Sequence, residues 1–301
     1  MRFFIKMLLV TASIGFSQSS LAVNLKILAL GDSITASVEA PKSYRYLLQD
    51  QLNAAGHTFD FFGTQSGDND GLSNIVQRAG YDNDHEGHPS EPTGFFTENV
   101  SRAGLTGSDK SMLNGFLTLD YSSAPDVALV HIGTNDATGA RFHNSSPTPN
   151  EALTAALTNI DKIISTLKGS NPNMKIFLAE IIPFGPDFNA GDPNERNGAE
   201  LNTSFIDQFN AGVSNIANND SSIFAVNMHD GFLNSDNSVN TSLFVDNVHP
   251  TQAGEQILAD RFFNALDASG SLTAVPLPPA LYLFGAAVFG LFSVGRRKEA
   301  S

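Results

Sequence analysis

Cysteine is absent from all 301 residues. That excludes disulfides, so a domain that is exported must be held together by its apolar core alone. Positive charge is scarce too: 17 basic residues stand against 31 acidic ones, for a formal charge of −14. Two terminal segments hold five of those basic residues and one acid. The body between them keeps 12 basic and 30 acidic residues, a charge of −18. Such a surface repels phosphate backbones and argues against nucleic acid as a partner. The chain also has no internal repeat.

What is present begins with the two ends. Residues 1–22, MRFFIKMLLVTASIGFSQSSLA, carry Arg2 and Lys6 ahead of an apolar stretch over 7–16. They close on Ser20-Leu21-Ala22, with small residues at the positions a signal peptidase reads. The stretch is too short to span a bilayer, so a signal peptide and export are expected. At the other end, VPLPPALYLFGAAVFGLFSVGRRK (275–298) is uncharged until Arg296-Arg297-Lys298. That is about one bilayer of helix with a basic, cytoplasmic end. This tail resembles the PEP-CTERM sorting signal of Gram-negative bacteria, with Pro276-Leu277-Pro278 as its proline motif but without the usual glutamate. The resemblance implies an exosortase-type membrane transpeptidase as a partner. It also implies an inner-membrane anchor, transient or permanent, and a final place in the periplasm, at the cell surface or in extracellular matrix.

The expected division is a signal peptide over 1–22, one globular domain over 23–270, and a linker plus membrane helix over 271–301. About 250 residues suffice for one α/β domain with a large core. Apolar strand candidates at 25–30, 59–62, 126–132, 174–182 and 223–226 alternate with helical spacing at 44–55, 150–167, 199–217 and 251–266. That is the pattern of a parallel sheet wrapped by helices. Three long polar connections, 64–100, 183–198 and 227–248, read as functional or mobile loops. The stretch 267–279 reads as the linker to the tail.

Three short stretches fall at element ends. Gly31-Asp32-Ser33-Ile34 follows the first strand, Gly133-Thr134-Asn135-Asp136 the third, and Asp246-x-x-His249-Pro250 precedes the last helix. Ser33 alone reads more readily as a helix cap than as a nucleophile. Attack by a serine on a carbonyl needs a base, an acid to orient that base, and donors for the oxyanion. Ser33, His249, Asp246 and Asn135 supply one of each. Together these stretches resemble, residue by residue, the nucleophile, asparagine and acid–histidine blocks of the SGNH (GDSL) hydrolases.

The resemblance implies a three-layer α/β/α sandwich around a parallel five-stranded sheet of flavodoxin-like order. It implies a serine esterase with Ser33, Asp246 and His249 as catalytic residues, and no metal or organic cofactor. Ser33 and Asn135 are expected to serve the oxyanion, joined by a backbone amide from a glycine block. The stretch YDNDHEGHPSEPTGFF (81–96) is similar to the EGHSGW block of the acetylxylan-esterase-like branch, interrupted by 89–93. Gly94 is the expected donor because Phe95 then takes the place of the aromatic that follows it, with Gly87 as the alternative. An acetylated polysaccharide is the expected substrate. A lipid esterase or lysophospholipase and a catalytically silent glycan-binding surface protein are the rival readings.

Other candidates carry less. His85 and His88 lack the His-Glu-x-x-His spacing and a third ligand for zinc. Asp68 and Asp70 before Gly71 are a calcium-loop fragment without its closing glutamate, better read as a solvated turn. His131 reads as a core residue, Asp136 as a brace for its own loop, and Arg45 and Arg78 as surface charges.

Overall fold

The computed structural model describes residues 24–37, 42–69, 75–101, 103, 105 and 108–273. The expected signal peptide, the tail helix with its proline motif and basic end, and Asp70 with Gly71 lie outside these residues. The first part of the chain forms β1 (Asn24–Gly31), α1 (Ser33–Ala36), α2 (Tyr44–Ala54), β2 (Thr58–Phe62), β3 (Gln65–Ser66), β4 (Asp68–Asn69), β5 (Ile75–Val76) and β6 (Asp84–Gly87). Then follow α3 (Thr93–Thr97), α4 (Met112–Gly115), β7 (Val127–His131), α5 (Thr134–Gly139), α6 (Pro149–Ser170) and β8 (Lys175–Ala179). The last elements are α7 (Gly198–Leu201), α8 (Asp207–Asn218), β9 (Ile223–Val226) and α9 (Gln252–Ala268).

The central strands are buried on both faces, and alternate residues serve opposite layers. Leu28, Leu30, Ala128, Val130, Ile176 and Leu178 join one apolar cluster with Ile160, Ile163 and Leu167 of α6 and Phe209 and Val213 of α8. Ile27, Ala29, Val127, Leu129, Phe177 and Ala179 join the other, with Leu48 and Leu52 of α2 and Leu258 and Phe262 of α9. Three layers result: helices, sheet, helices. Five strands run parallel in the order β2-β1-β7-β8-β9, the flavodoxin-like order expected.

Two short strands extend that sheet. β6 pairs with the end of β1, Leu30 opposite Glu86 and Gly31 opposite Gly87, and β3 lies antiparallel to β6. The stretch 64–100 is therefore not a plain loop: it holds these strands, the β4–β5 ribbon and α3. Polar side chains such as Glu86 hide the strands from a hydropathy reading.

Helix ends follow local chemistry. Gly56 takes φ +81° just past α2, as a left-handed residue closing a helix does. Thr148 and Glu151 form a capping box at the start of α6, with Pro149 behind it. β8 stops four residues before Pro183 because Asn210, from α8, takes over the backbone: it accepts from Ile181 N–H at 2.9 Å and donates to Ile181 C=O at 3.0 Å. A wide π-helical turn over Asn202–Ile206 joins α7 to α8. The expected linker start at 267 is too early, since α9 runs to Ala268 and Leu272 is buried in the second cluster. Among the described residues, no helix is long and apolar enough to cross a membrane.

Candidate active site

β1 ends on Gly31 because nothing larger fits. A Cβ there would stand 2.2 Å from Thr35 Oγ1 and 2.3 Å from the His131 carbonyl oxygen. The chain turns sharply into α1, and the helix cap is Asp32, not Ser33: Asp32 Oδ1 accepts the Ile34 N–H at 3.0 Å. Ser33 is thereby left as the first residue of α1 with its hydroxyl free for another partner. Ser37, at φ 60°, closes the turn.

That partner is His249. Its Nε2 lies 2.9 Å from Ser33 Oγ, and its Nδ1 lies 2.7 Å from Asp246 Oδ2. The other Asp246 oxygen accepts the backbone N–H groups of Val248 at 3.1 Å and His249 at 2.7 Å. A carboxylate at Nδ1 fixes the proton there and turns the Nε2 lone pair toward the serine. Partial burial would raise the Asp246 pKa, but the hydrogen bonds from the His249 ring and backbone outweigh it and hold the carboxyl at about 2. The loop is braced from both sides. Val245 N–H donates to the His249 carbonyl at 2.9 Å, and Gly185 N–H to the Asn247 carbonyl at 2.7 Å. Gly185 admits that approach because it has no Cβ, which would meet Asn247 Oδ1 at 2.2 Å.

A second pair of loops is tied together beside α5. Asn135 Nδ2 donates to the Glu91 carbonyl at 3.1 Å. Asp136 is structural, as the sequence suggested, but braces more than its own loop: it reaches across to Thr93, accepting from the backbone N–H at 2.9 Å and the hydroxyl at 2.7 Å. Loop 88–92 thus enters α3 in a fixed register, with Gly94 as the second helical residue. Among the described residues, the Gly94 amide meets no acceptor. The Gly87 amide is committed elsewhere: it donates to His85 Nδ1 at 3.0 Å, and the glycine packs against Thr35 and Ala36 of α1.

The histidines and arginines divide differently from their sequence reading. His85 spends both ring nitrogens internally, Nε2 lying 2.8 Å from the Gly67 carbonyl. Burial, with the Arg45 charge nearby, pushes its pKa well below the usual imidazole range. His88 Nε2 bonds Glu86 Oε1 at 2.7 Å, and Thr64 and the Tyr121 hydroxyl also donate to that buried carboxylate. Among the described residues, no group of three or more His, Asp and Glu could hold a metal ion. His131 is buried, and burial lowers its pKa to about 4.

Arg45 is not a surface charge but fully buried. It donates to the carbonyls of Thr35 at 2.8 Å and Gly67 at 3.0 Å and pairs with Asp68 at 2.9 Å. Arg78 pairs with the other Asp68 oxygen at 3.2 Å. Asp68 is therefore a buried salt-bridge centre, not part of a solvated turn. The sequence reading also passed over Asp32, Glu86, Thr93 and Glu255. No spacing marks their roles: Asp32, Glu86 and Thr93 lay within stretches singled out for their neighbours, and Glu255 lay in none.

Comparison with known proteins bears on this arrangement. The sequence model of the GDSL-like lipase/acylhydrolase family matches residues 29–257. A multidomain esterase of Ruminococcus flavefaciens is 29% identical over 211 residues, 68% of this chain but 24% of that protein, so the chain spans about a quarter of that relative. Among solved structures, a carbohydrate esterase family 3 protein from Talaromyces cellulolyticus is similar with TM-score 0.57 at 20% identity, covering 81% of this chain and 97% of that one. A family 3 carbohydrate esterase of Clostridium thermocellum gives TM-score 0.52 at 22% identity, covering 83% and 99%. At these identities the structural likeness concerns the fold.

Proposed function

Since the chain belongs to the GDSL-like lipase/acylhydrolase family, whose members hydrolyse ester bonds, we propose that it does so with Ser33 as nucleophile, His249 as base and Asp246 as orienting acid. The observation that carries this reading is the unbroken line of hydrogen bonds from Ser33 Oγ through His249 to Asp246, at 2.9 and 2.7 Å. His249 Nε2 takes the Ser33 proton as Oγ adds to the ester carbonyl. The imidazolium returns that proton to the leaving alcohol as the acyl–oxygen bond breaks. Water, deprotonated by the same nitrogen, then attacks the acyl-serine and releases the acid and Ser33. Asp246 stays ionised throughout and stabilises the imidazolium. The amides of Ser33 and Gly94 and the Asn135 side chain are the oxyanion donors in this scheme. Asn135 and Gly94 belong to loops joined by the Thr93–Asp136 and Asn135–Glu91 bonds.

The substrate in this reading is an acetylated polysaccharide, supported by the carbohydrate esterases among the structural relatives and by the HEGH stretch. Acetate release from acetylxylan, with little release of long-chain acid from p-nitrophenyl esters, is the expected profile. Preference for long acyl chains replaces this substrate with a lipid, and loss of neither activity in Ser33→Ala removes the acyl-serine mechanism. In a folded Ser33→Ala variant kcat should fall by about 10⁶.

The protein is further proposed to be exported by residues 1–22 and sorted through its tail, beginning at Val23 when mature and cleaved near Pro276–Pro279. Mass spectrometry of the native protein is expected to find no peptide containing Arg297. An intact one in the mature pool leaves a permanent inner-membrane anchor instead.

A further inference from the structure

Asp32 is the one carboxyl adjacent in sequence to the nucleophile, and it is fully buried. Its two oxygens have different fates. Oδ1 holds the Ile34 amide at 3.0 Å, which fixes the turn on which Ser33 rides. Among the described residues, Oδ2 and the Thr134 hydroxyl are both buried without a hydrogen bond of normal geometry, and the pull of that hydroxyl on the carboxyl is the weakest of those named for it. A buried carboxylate with one oxygen unsatisfied is expensive, and the usual escape is to carry a proton.

A charge there would also work against the chemistry. The intermediate places a negative oxygen within reach of the Ser33 amide, next in sequence to the buried Asp32, and two negative charges that close repel each other. We infer that Asp32 works as a neutral carboxylic acid, a positioning residue whose Oδ1 holds the turn carrying Ser33 without setting a second negative charge beneath the oxyanion. This rests on the acyl-serine reading above.

The groups facing Asp32 agree on the direction. Burial raises its pKa most, and Asp136 of α5 raises it further; the Ile34 amide, the His249 charge and the Thr134 hydroxyl oppose, leaving it at about 7. Tyr44 of α2, whose own ionisation Asp32 disfavours, is the remaining acidic neighbour. His131, opposite Gly31 in the sheet, stays neutral because burial lowers its pKa. Among the described residues, the one cation named as favouring the ionised form of Asp32 is a protonated His249. Since His249 must be neutral to act as base, that support vanishes in the working state.

The test is the pH dependence of kcat/KM for acetate release, in wild type and in Asp32→Asn and Asp32→Ala. Asparagine keeps the acceptor for Ile34 and cannot ionise; alanine loses both. Wild type should decline by about tenfold or more above neutral pH as Asp32 ionises. Asp32→Asn should stay within about tenfold of wild type at pH 6 and remain level to pH 9, while Asp32→Ala loses kcat at every pH with KM little changed. If alanine prevents folding, wild type and Asp32→Asn decide the matter alone. An alkaline decline that persists in Asp32→Asn, or an asparagine variant as inactive as alanine, overturns the inference. Ser33→Ala separates the two failures: if it abolishes activity while Asp32→Asn keeps the decline, only the role of Asp32 falls.

Discussion

Gly94 and Gly87 differ by one hydrogen bond, and that difference is testable. Gly87 has given its amide to His85 Nδ1 and lies so close to α1 that a Cβ would meet Ala36 N at 2.5 Å. Among the described residues, the Gly94 amide in the first turn of α3 meets no acceptor and a Cβ there would meet only Asn159 Nδ2, at 3.6 Å. Gly94→Ala should therefore leave kcat within a few-fold of wild type. Gly94→Pro, in the first turn of α3, removes the donor and should cost at least on the order of 10²–10³ in kcat, with circular dichroism confirming that the variant is folded. Equal activity of the two folded variants removes Gly94 from the oxyanion site. Ser33, Asp246 and His249, the proposed triad, stood out in the sequence because they fall in short polar stretches at element ends, Ser33 after β1 and the other two before α9. Arg45 was not: a lone arginine in a helix looks like any surface charge. The one hint is that its neighbours Tyr44, Tyr46 and Leu48 leave α2 no clear polar face there, and all three are buried.

At the scale of elements, legibility followed burial. β1, β7 and β8 lie between two helical layers, so their apolar runs announced them, and β9 matched at both ends. β3 and β6 were invisible because their residues, Gln65, Ser66, Asp84, His85 and Glu86, are polar side chains satisfied by specific bonds. These strands matter to the site. β6 lies beside the end of β1 and launches loop 88–92, whose His88 N–H donates to the Gly31 carbonyl at 2.9 Å. The nucleophile turn and the Gly94 helix are thus two exits from adjacent strands. Asp136, from a third exit, pins the second to α5 through Thr93. The three sequence stretches that looked independent are joined by hydrogen bonds that no spacing could reveal.

Across the whole molecule, the carboxyls pull stability in opposite directions with pH, and the sign can be worked out. Asp246 is held at about 2, so its contribution is present above the ordinary carboxylate range and disappears as pH falls through 2. Asp32 and Glu255 go the other way. Glu255 of α9 is fully buried; Oε2 accepts the Tyr44 amide at 2.7 Å, and Oε1 has no partner among the described residues. Burial, reinforced by nearby Asp68, drives its pKa well upward against the Tyr44 amide and the Arg45 charge. In the unfolded chain both groups lose their protons near pH 4, whereas the native protein keeps them to higher pH. Their contribution is therefore complete below about pH 4 and drains away as pH rises through the native values. Repulsion within the acidic body acts in the same direction. The unfolding temperature should accordingly be highest at about pH 4–5 and lower at neutral pH. Glu255→Gln isolates the buried carboxyl from the general repulsion, because it keeps an acceptor for Tyr44 and removes the ionisable group. It should narrow the difference in Tm between pH 4.5 and 7.5 by several degrees, at about 2–4 °C per kcal/mol in a domain of this size. Calorimetry at the two pH values reads the result directly. A Glu255→Gln variant whose Tm falls with pH as steeply as that of the wild type would show that Glu255 ionises within the fold as freely as in water.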